Sequence, residues 1–210
     1  MYKLPDVELK KGQYYIIMAS GDEALSNSSY KHANFNISDT QSVYLTKTNK
    51  IIDSLFITNV PSGYSIGRSG NHGIYYFSSP SPGKSNNNGT QAISYAPTAS
   101  IKSGAYNGKE SLAVELIGSG NIYYTLDGSN PSTSSKVYSS PLNLKSTTVL
   151  KVISSEPGKL QSKANTYTYV INENVTLPIM SISIDPKDLK NLHSNAWTEG
   201  YKKPCYAELI

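Results

Sequence analysis

Residues 122–138 read Ile-Tyr-Tyr-Thr-Leu-Asp-Gly-Ser-Asn-Pro-Ser-Thr-Ser-Ser-Lys-Val-Tyr, and this stretch decides the fold. Residues 122–126 alternate in the period-two pattern of a half-buried strand. Asp127-Gly128 and Asn130-Pro131 then break the pattern, because Gly tolerates positive φ and Pro cannot donate to a strand ladder. A second strand is predicted over 136–138. None of these side chains is strongly reactive, so we expect this hairpin to be scaffold.

The composition favours a β-rich secreted or surface module. Seventeen Tyr stand against three Phe and one Trp, and only 16% of the 210 residues are charged. Aromatic and hydroxyl residues suit pleated sheets, whereas helical cytosolic enzymes carry more charge. The net charge of +4 is scattered, and Arg68 is the only arginine. We therefore expect an extracellular protein and no nucleic-acid partner, since no basic stripe is present to neutralise phosphates.

Cysteine usage and hydropathy narrow the class further. Cys205 is the only cysteine, so an internal disulfide and a multi-cysteine metal site are both excluded, and a small buried side chain is expected there. No apolar run approaches the roughly 20 residues of a membrane span. The sequence predicts no cofactor.

Turn residues divide the chain into segments. In the first, strands are predicted over 14–19, 42–46, 51–57 and 73–78, with 14–19 the central one. Residues 79–89 are rich in Pro, Gly and Asn and read as a linker. Strands resume over 112–117, 122–126, 136–138, 147–153 and 165–171, the pattern of a second small all-β unit.

Only the end of the chain favours a helix. After a strand over 177–184, Asp185 is a natural N-cap and Pro186 suits the first turn of a helix that ends near His193. A last strand follows over 205–210. One helix and two strands are too little for an independent core, so residues 173–210 are expected to be the truncated beginning of a further α+β domain.

Residues 63–67 match the Gly-x-Ser-x-Gly pattern of a hydrolase nucleophile elbow. An elbow needs a buried strand before Ser65 and a helix after it, but turn residues lie on both sides. His72 is also too close for the usual order of a catalytic triad. We expect no catalytic residue in this chain.

Metal binding is not expected either. The three histidines, at 32, 72 and 193, lack the short spacings that place two ligands on one metal. Asp127, Ser129 and Asn130 could bind calcium, but the same residues are typical of a tight turn. The carboxylates form no recognisable acid and nucleophile motif for glycoside hydrolysis.

Three double-tyrosine pairs, at 14–15, 75–76 and 123–124, mark strands in which one ring points inward and the other outward. Outward rings can stack on sugars, although exposed tyrosines are also common without a ligand. The candidate ligand contacts are Tyr15, Tyr76 and Tyr123.

Three stretches resemble known families. The runs 12–20, 34–38, 43–45, 61–68 and 81–86, with Pro61-x-Gly63-x-Ser65-x-Gly67-Arg68 and Pro82-Gly83-x-x-Asn86, resemble a lamin-tail domain, which implies an immunoglobulin-like fold and a structural turn at Ser65. Residues 122–131, supported by Tyr138, Pro141-Leu142 and 147–152, are similar to the C-terminal sandwich module of chitobiases and β-hexosaminidases, an accessory without catalytic residues. Leu177-Pro178-Ile179, Asp185-Pro186, Trp197 and 204–208 resemble the entry to a CotH-type spore-coat kinase domain.

Together these features predict an all-β chain with two immunoglobulin-like β-sandwich modules in tandem, over 1–90 and 91–172, followed by the short α+β segment 173–210. The resemblances imply non-catalytic spacer, attachment or ligand-binding modules of a secreted, cell-surface or spore-coat bacterial protein, whose full-length parent would be an atypical CotH-type protein kinase. The alternative is a carbohydrate-binding segment of a polysaccharide-degrading enzyme. Expected partners are a cell-wall or other polysaccharide, or a surface protein.

Overall fold

The structure is a computed structural model that describes residues 1–38, 40–58, 60–61, 63–69, 73–198 and 200–210. The chain divides into two compact units, Met1–Gln91 and Ala92–Ile210. Strands dominate both units and helix is confined to short segments, so the prediction of an all-β sandwich fold is confirmed. The two units are built differently.

Within its described residues, the first unit consists of three two-stranded sheets. β1 and β2 pair in parallel, whereas β3–β4 and β5–β6 are antiparallel hairpins. A short 3-10 turn, Glu23–Leu25, lies between β1 and β2. The strands are β1 (Ile17–Met18), β2 (Lys31–His32), β3 (Thr40–Lys47), β4 (Lys50–Thr58), β5 (Ser65–Ser69) and β6 (Gly73–Phe77).

The longest hairpin in this unit, β3–β4, turns through Thr48 and Asn49, which have φ values of 49° and 64°. Two consecutive left-handed residues between the paired Lys47 and Lys50 form a tight two-residue turn, whose twist matches that of the strands. The register shifts next to Leu45, where β4 carries one extra residue. Long strands and a tight turn make this hairpin the main β element of the first unit.

Three predictions for this unit are corrected. The strand expected over 14–19 is not central, because only Ile17–Met18 forms and pairs with β2 alone in the described part of the chain. Residues 65–69 are a strand, β5, rather than a turn. The linker expected over 79–89 is tied to β5, since the Asn86 side chain donates to the Arg68 carbonyl oxygen at 2.8 Å.

The second unit is a β-sandwich. Its larger sheet has five strands in the order β12-β11-β14-β15-β8, and the pairs β9–β13 and β7–β10 supply the other layer. Neighbouring strands of the large sheet are antiparallel except β15 and β8, which are parallel. The strands are β7 (Thr98–Ala99), β8 (Gly104–Tyr106), β9 (Leu112–Val114), β10 (Leu116–Ile117), β11 (Asn121–Thr125), β12 (Lys136–Val137), β13 (Leu142–Leu144), β14 (Thr148–Ser155) and β15 (Asn165–Ile171).

The sandwich core lies between these layers, and strand alternation explains its composition. β9 and β13 bury every second residue, and these side chains meet the inward residues of the large sheet. Tyr169 is fully buried, and its hydroxyl donates to the Ile101 carbonyl oxygen at 2.8 Å. The buried cluster comprises Leu112, Val114, Leu116, Ile122, Leu142, Leu144, Leu150, Val152, Tyr169 and Ile171.

The rest of the second unit is a pair of antiparallel strands and a helix. β16 (Met180–Ser183) and β17 (Tyr206–Leu209) pair in antiparallel register, with the α1 helix (Pro186–Ser194) between them in sequence. The helix begins after the predicted N-cap, Asp185, whose side chain accepts from the Lys187 amide at 2.9 Å. Cys205 is exposed rather than buried, contrary to the expectation for a lone cysteine.

The large sheet is buried on both faces at its centre. Leu150, Val152 and Tyr169 face the sandwich core, so the intervening Lys151, Ile153, Thr168 and Val170 face the opposite side, yet these are buried as well. The outer face of an isolated two-layer sandwich would contact water. Contacts from residues 181–185, described next, cover part of this outer face.

Candidate functional site

The turn that follows β11 is closed by its own side chains. The Asp127 carboxylate accepts from the Ser129 amide at 3.0 Å and from the Ser129 hydroxyl, and Thr125 donates to the Ser129 carbonyl oxygen at 2.6 Å. Gly128 has a φ of 76°, and its amide donates to the Val149 carbonyl oxygen at 3.2 Å. The turn is therefore fixed by bonds among its own residues and by one bond to β14.

Asp185 connects this turn to the α1 helix. One carboxylate oxygen, Oδ1, caps the helix through the Lys187 amide, and Oδ2 accepts from the Asn130 amide at 2.8 Å. Hydrogen bonds to a charged acceptor are roughly twice as strong as neutral ones. A Cβ at Gly128 would lie 3.4 Å from the Ser183 hydroxyl, which shows how closely the two segments approach.

Lys151 lies beneath this contact as a buried cation. Its side chain extends from β14 on the outer face of the sheet, only 5% of the residue is exposed, and Nζ donates to the Asn130 side-chain oxygen at 3.2 Å. A buried ammonium needs opposite charge nearby, and the carboxylates of Asp127 and Asp185 supply it. The lysine thus supplies positive charge at the place where the sequence suggested oxygen ligands for calcium.

Burial and hydrogen bonding set the charge states of this cluster. The bonds from Ser129 lower the pKa of Asp127, and the bond from the Asn130 amide lowers the pKa of Asp185. Burial lowers the pKa of Lys151, while the carboxylates of Asp185 and Asp127 oppose that effect. Both carboxylates are therefore held in the ionised form that the contact requires.

The paired strands β16 and β17 place polar side chains against the sandwich. The hydroxyls of Ser181 and Thr168 lie 2.8 Å apart. Ser183 is only 5% exposed, and its hydroxyl has no hydrogen-bond partner among the described residues. Ser181 pairs with Glu208 across the two strands, whereas Met180 pairs with Leu209 on the other side and both are exposed. Polar contacts rather than an apolar core hold this segment on the outer face of the large sheet.

The three predicted ligand contacts lie on separate elements. Tyr15 is half-buried in an irregular segment, and Tyr76 is half-buried on β6, where its backbone pairs with Thr90. Tyr123 lies on the outer face of the large sheet, opposite Val137 and Ile153, and is also half-buried. The more exposed tyrosines are Tyr14, Tyr30, Tyr44, Tyr95 and Tyr206.

In the part of the chain that the structure describes, the motifs that the sequence offered as catalytic or metal-binding sites do not have the geometry that those sites need. Ser65 is the first residue of β5 and pairs with Phe77, so a strand rather than a helix follows it. His72 lies outside the described residues. His32 bonds the Ser20 hydroxyl at 2.9 Å, and His193 lies in the last turn of α1. Across the described residues, no three His, Cys, Asp or Glu side chains form a metal-ligating group.

Lys151 and Asp185 were not predicted as partners, although the sequence carried one signal. Lys151 interrupts the run Val-Leu-Lys-Val-Ile over 149–153, and a charge inside a continuous apolar strand indicates a buried, paired side chain. The identity of the partner could not be read, because 33 residues separate Asp185 from Lys151 and only the tertiary fold brings them together.

Comparison with known families places this geometry in a class. A family model described as Fn3 associated matches residues 113–169, the greater part of the sandwich. The match and the fold indicate a β-sandwich module of the kind found in extracellular proteins, with a non-catalytic accessory role. No curated protein and no solved structure matches the chain significantly. No helix in the described ranges is long and apolar enough to cross a membrane.

Proposed function

We propose that the sandwich is a mounting module. It fixes the segment 173–210 on the outer face of its large sheet and so sets the orientation of that segment. The observation that carries this proposal is the double use of Asp185, as the N-cap of α1 and as the acceptor of the Asn130 amide. A helix whose cap is bonded to a rigid turn cannot rotate freely about the sandwich.

The assignment of each segment to a family rests on the sequence motifs quoted above. We propose that the first unit is a lamin-tail-like module, that the sandwich is of the chitobiase and β-hexosaminidase C-terminal type, and that residues 173–210 open a CotH-type kinase-like domain. In this proposal the chain belongs to a bacterial surface or spore-coat protein and is itself non-catalytic. The Fn3 associated match over 113–169 supports the extracellular, accessory part of it.

The alternative, a carbohydrate-binding segment that uses Tyr15, Tyr76 and Tyr123, has weaker support. Each of these rings is half-buried, which leaves less of its face for stacking on a sugar. A mounting role needs no exposed ring, only a rigid contact between the sandwich and the segment.

Distance measurements between spin labels test the mounting role. One label is placed on Cys205, the only cysteine, and the other on a Lys136→Cys substitution in the exposed edge strand β12. The reference pair, Lys136→Cys with Lys145→Cys in a Cys205→Ser background, lies wholly within the sandwich. We expect a distance distribution as narrow as that of the reference, and a broad distribution would refute the proposal.

A further inference from the structure

One face of the β3–β4 hairpin combines apolar side chains with hydroxyl groups in a regular order. Its rungs pair Ser42 with Phe56, Tyr44 with Ser54 and Thr46 with Ile51. Each rung therefore holds one hydroxyl and one apolar side chain. The apolar member alternates between strands along the hairpin, so the two kinds of side chain form a checkered surface. Ser42, Tyr44 and Thr46 share a face because residues on one face of a strand recur every second position. Their partners Phe56, Ser54 and Ile51 lie on the same face because residues paired directly across two strands point to the same side, and the bulge at Ile52 keeps Ile51 in step with Thr46.

This face is open to solvent. Tyr44 is 56% exposed, Phe56 52% and Ile51 63%, and Ser42, Thr46 and Ser54 are also exposed. On the opposite face Gln41, Val43, Leu55 and Ile57 are half-buried, whereas Leu45, next to the bulge, is 44% exposed. None of the six rung side chains carries a charge. Tyr44, Phe56 and Ile51 therefore form an exposed apolar group on this face.

The size of the face limits what it can hold. Three rungs spaced by about 7 Å, on two strands about 5 Å apart, give a flat strip of roughly 20 by 10 Å. Its area of roughly 200 Å² is far below the roughly 800 Å² that each partner buries in a specific protein interface. A single extended polymer chain matches such a strip.

We propose that this face binds a neutral polysaccharide chain. The rings of Tyr44 and Phe56 stack against the C–H faces of successive sugar rings, because the π face of an aromatic ring is electronegative and aliphatic hydrogens are weakly positive. The hydroxyls of Ser42, Thr46 and Ser54 exchange hydrogen bonds with the sugar hydroxyls at the strip's surface. The six rung side chains carry no cation to pair with a carboxylate or sulfate. Arg68 donates to the Ser54 carbonyl oxygen at 3.0 Å and is already paired with the Asp53 carboxylate, so a neutral polymer is favoured over an acidic one.

This binding is independent of the mounting role of the sandwich, because every residue involved lies in the first unit. Failure of one proposal therefore leaves the other intact. The proposed binding at the β3–β4 hairpin also moves the candidate glycan contacts from the three half-buried tyrosines to Tyr44 and Phe56.

The test is binding of the full chain to insoluble chitin and cellulose, followed by calorimetric titration with chitohexaose and cellohexaose. We expect saturable binding to at least one polymer and its matching oligosaccharide. The double substitution Tyr44→Ala with Phe56→Ala should weaken binding at least about fivefold, the effect of losing two aromatic contacts. The control Tyr30→Ala, which removes a comparably exposed ring outside the face, should bind as the unmodified chain does.

A second variant keeps both rings. Ser42→Glu adds a charge beside Phe56 without removing an apolar contact, and we expect it to weaken binding as well because the carboxylate must lose water. Circular dichroism confirms that each variant is folded. The proposal would be overturned by an absence of saturable binding, by equal loss in Tyr30→Ala, or by preference for an acidic polymer. Concentration-dependent dimerisation that the double substitution abolishes would also overturn it, since a second copy would then be the occupant.

Discussion

At the scale of single residues, Asp185 joins two segments because its carboxylate has two acceptor atoms and each is used. A residue that only capped the helix would leave Oδ2 to water, and a residue that only bound the turn would leave the first helical amides open. Local sequence is sufficient to predict the cap, since Asp precedes Pro at a helix start. The bond to Asn130 depends on tertiary structure alone.

Replacing Asp185 should destabilise the second unit. Asp185→Ala removes a helix cap and a charged hydrogen bond, and we expect its free energy of unfolding to fall by about 2 kcal/mol. Urea unfolding followed by far-UV circular dichroism measures this. Asp188→Ala, in the same helix, breaks only a partly exposed ion pair with Lys203 and should cost no more than about 1 kcal/mol. Equal losses in the two variants would show that the Asn130 contact contributes nothing.

Tyr169 provides a second test, inside the sandwich core. Tyr169→Phe removes the hydroxyl that bonds the Ile101 carbonyl oxygen, so a polar group near the core loses its partner. We expect a loss of about 1–2 kcal/mol in the free energy of unfolding. The matched substitution Tyr44→Phe, at an exposed ring, should change stability by less than about 0.5 kcal/mol. An unchanged free energy of unfolding in Tyr169→Phe would mean that water replaces the lost hydrogen bond.

At the scale of elements, most of the longer strands of both units were predictable from the sequence, whereas several short strands and β5 were not. Residues 165–171 were predicted and observed with the same bounds, because a strand in a closed sandwich has strong alternation and clear turn residues on both sides. β5 was missed, since Gly67 and the flanking glycines suggest a turn and only pairing with β6 reveals the strand. Short strands such as β7 and β8 carry too few residues to show a period.

The contact between the Asp127 turn and α1 should weaken in acid. The pKa values of Asp127 and Asp185 are both lowered in the folded protein, so their stabilising contribution is fully present above the ordinary carboxyl pKa of about 3.9. It is lost as the pH falls through the lowered folded values. We expect the free energy of unfolding to decline below about pH 4.

The variant Asp185→Asn isolates one of these carboxylates. Because it keeps the shape of the side chain and removes its titration, stability should decline less steeply with acid than in the unmodified chain. Urea unfolding at a series of pH values between neutrality and pH 2.5 gives the comparison. An identical pH dependence in both proteins would place the acid sensitivity elsewhere.

At the scale of the whole molecule, the two units differ in how they are held together. The second unit has a closed core and a large sheet buried on both faces at its centre. In the described part of the first unit, the buried apolar side chains are those of Ala33, Pro61 and Phe77. Composition and strand spacing predicted the all-β class correctly. They could not reveal that residues 181–185 contact the sandwich, because that contact consists of polar groups without a hydrophobic period.

We expect the chain to be catalytically inactive. Ser65 opens a strand and lies opposite Phe77, which is not the geometry of an activated nucleophile. Hydrolysis of p-nitrophenyl acetate and transfer of phosphate from magnesium ATP to a casein acceptor should both remain at the background rate. Ester hydrolysis that Ser65→Ala abolishes, or phosphate transfer above the background, would contradict the proposal of an accessory chain.

The most direct measurement is hydrogen exchange at the Asn130 backbone amide, followed by nuclear magnetic resonance in the unmodified chain and in the Asp185→Ala and Asp188→Ala variants. This amide donates to Asp185 across the contact between the turn and the helix. We expect it to be protected in the unmodified chain and in Asp188→Ala, and to exchange at least about tenfold faster in Asp185→Ala, the change that follows from losing about 1.4 kcal/mol of protection. An Asn130 amide that exchanges equally fast in all three proteins would contradict the mounting of residues 173–210 on the sandwich.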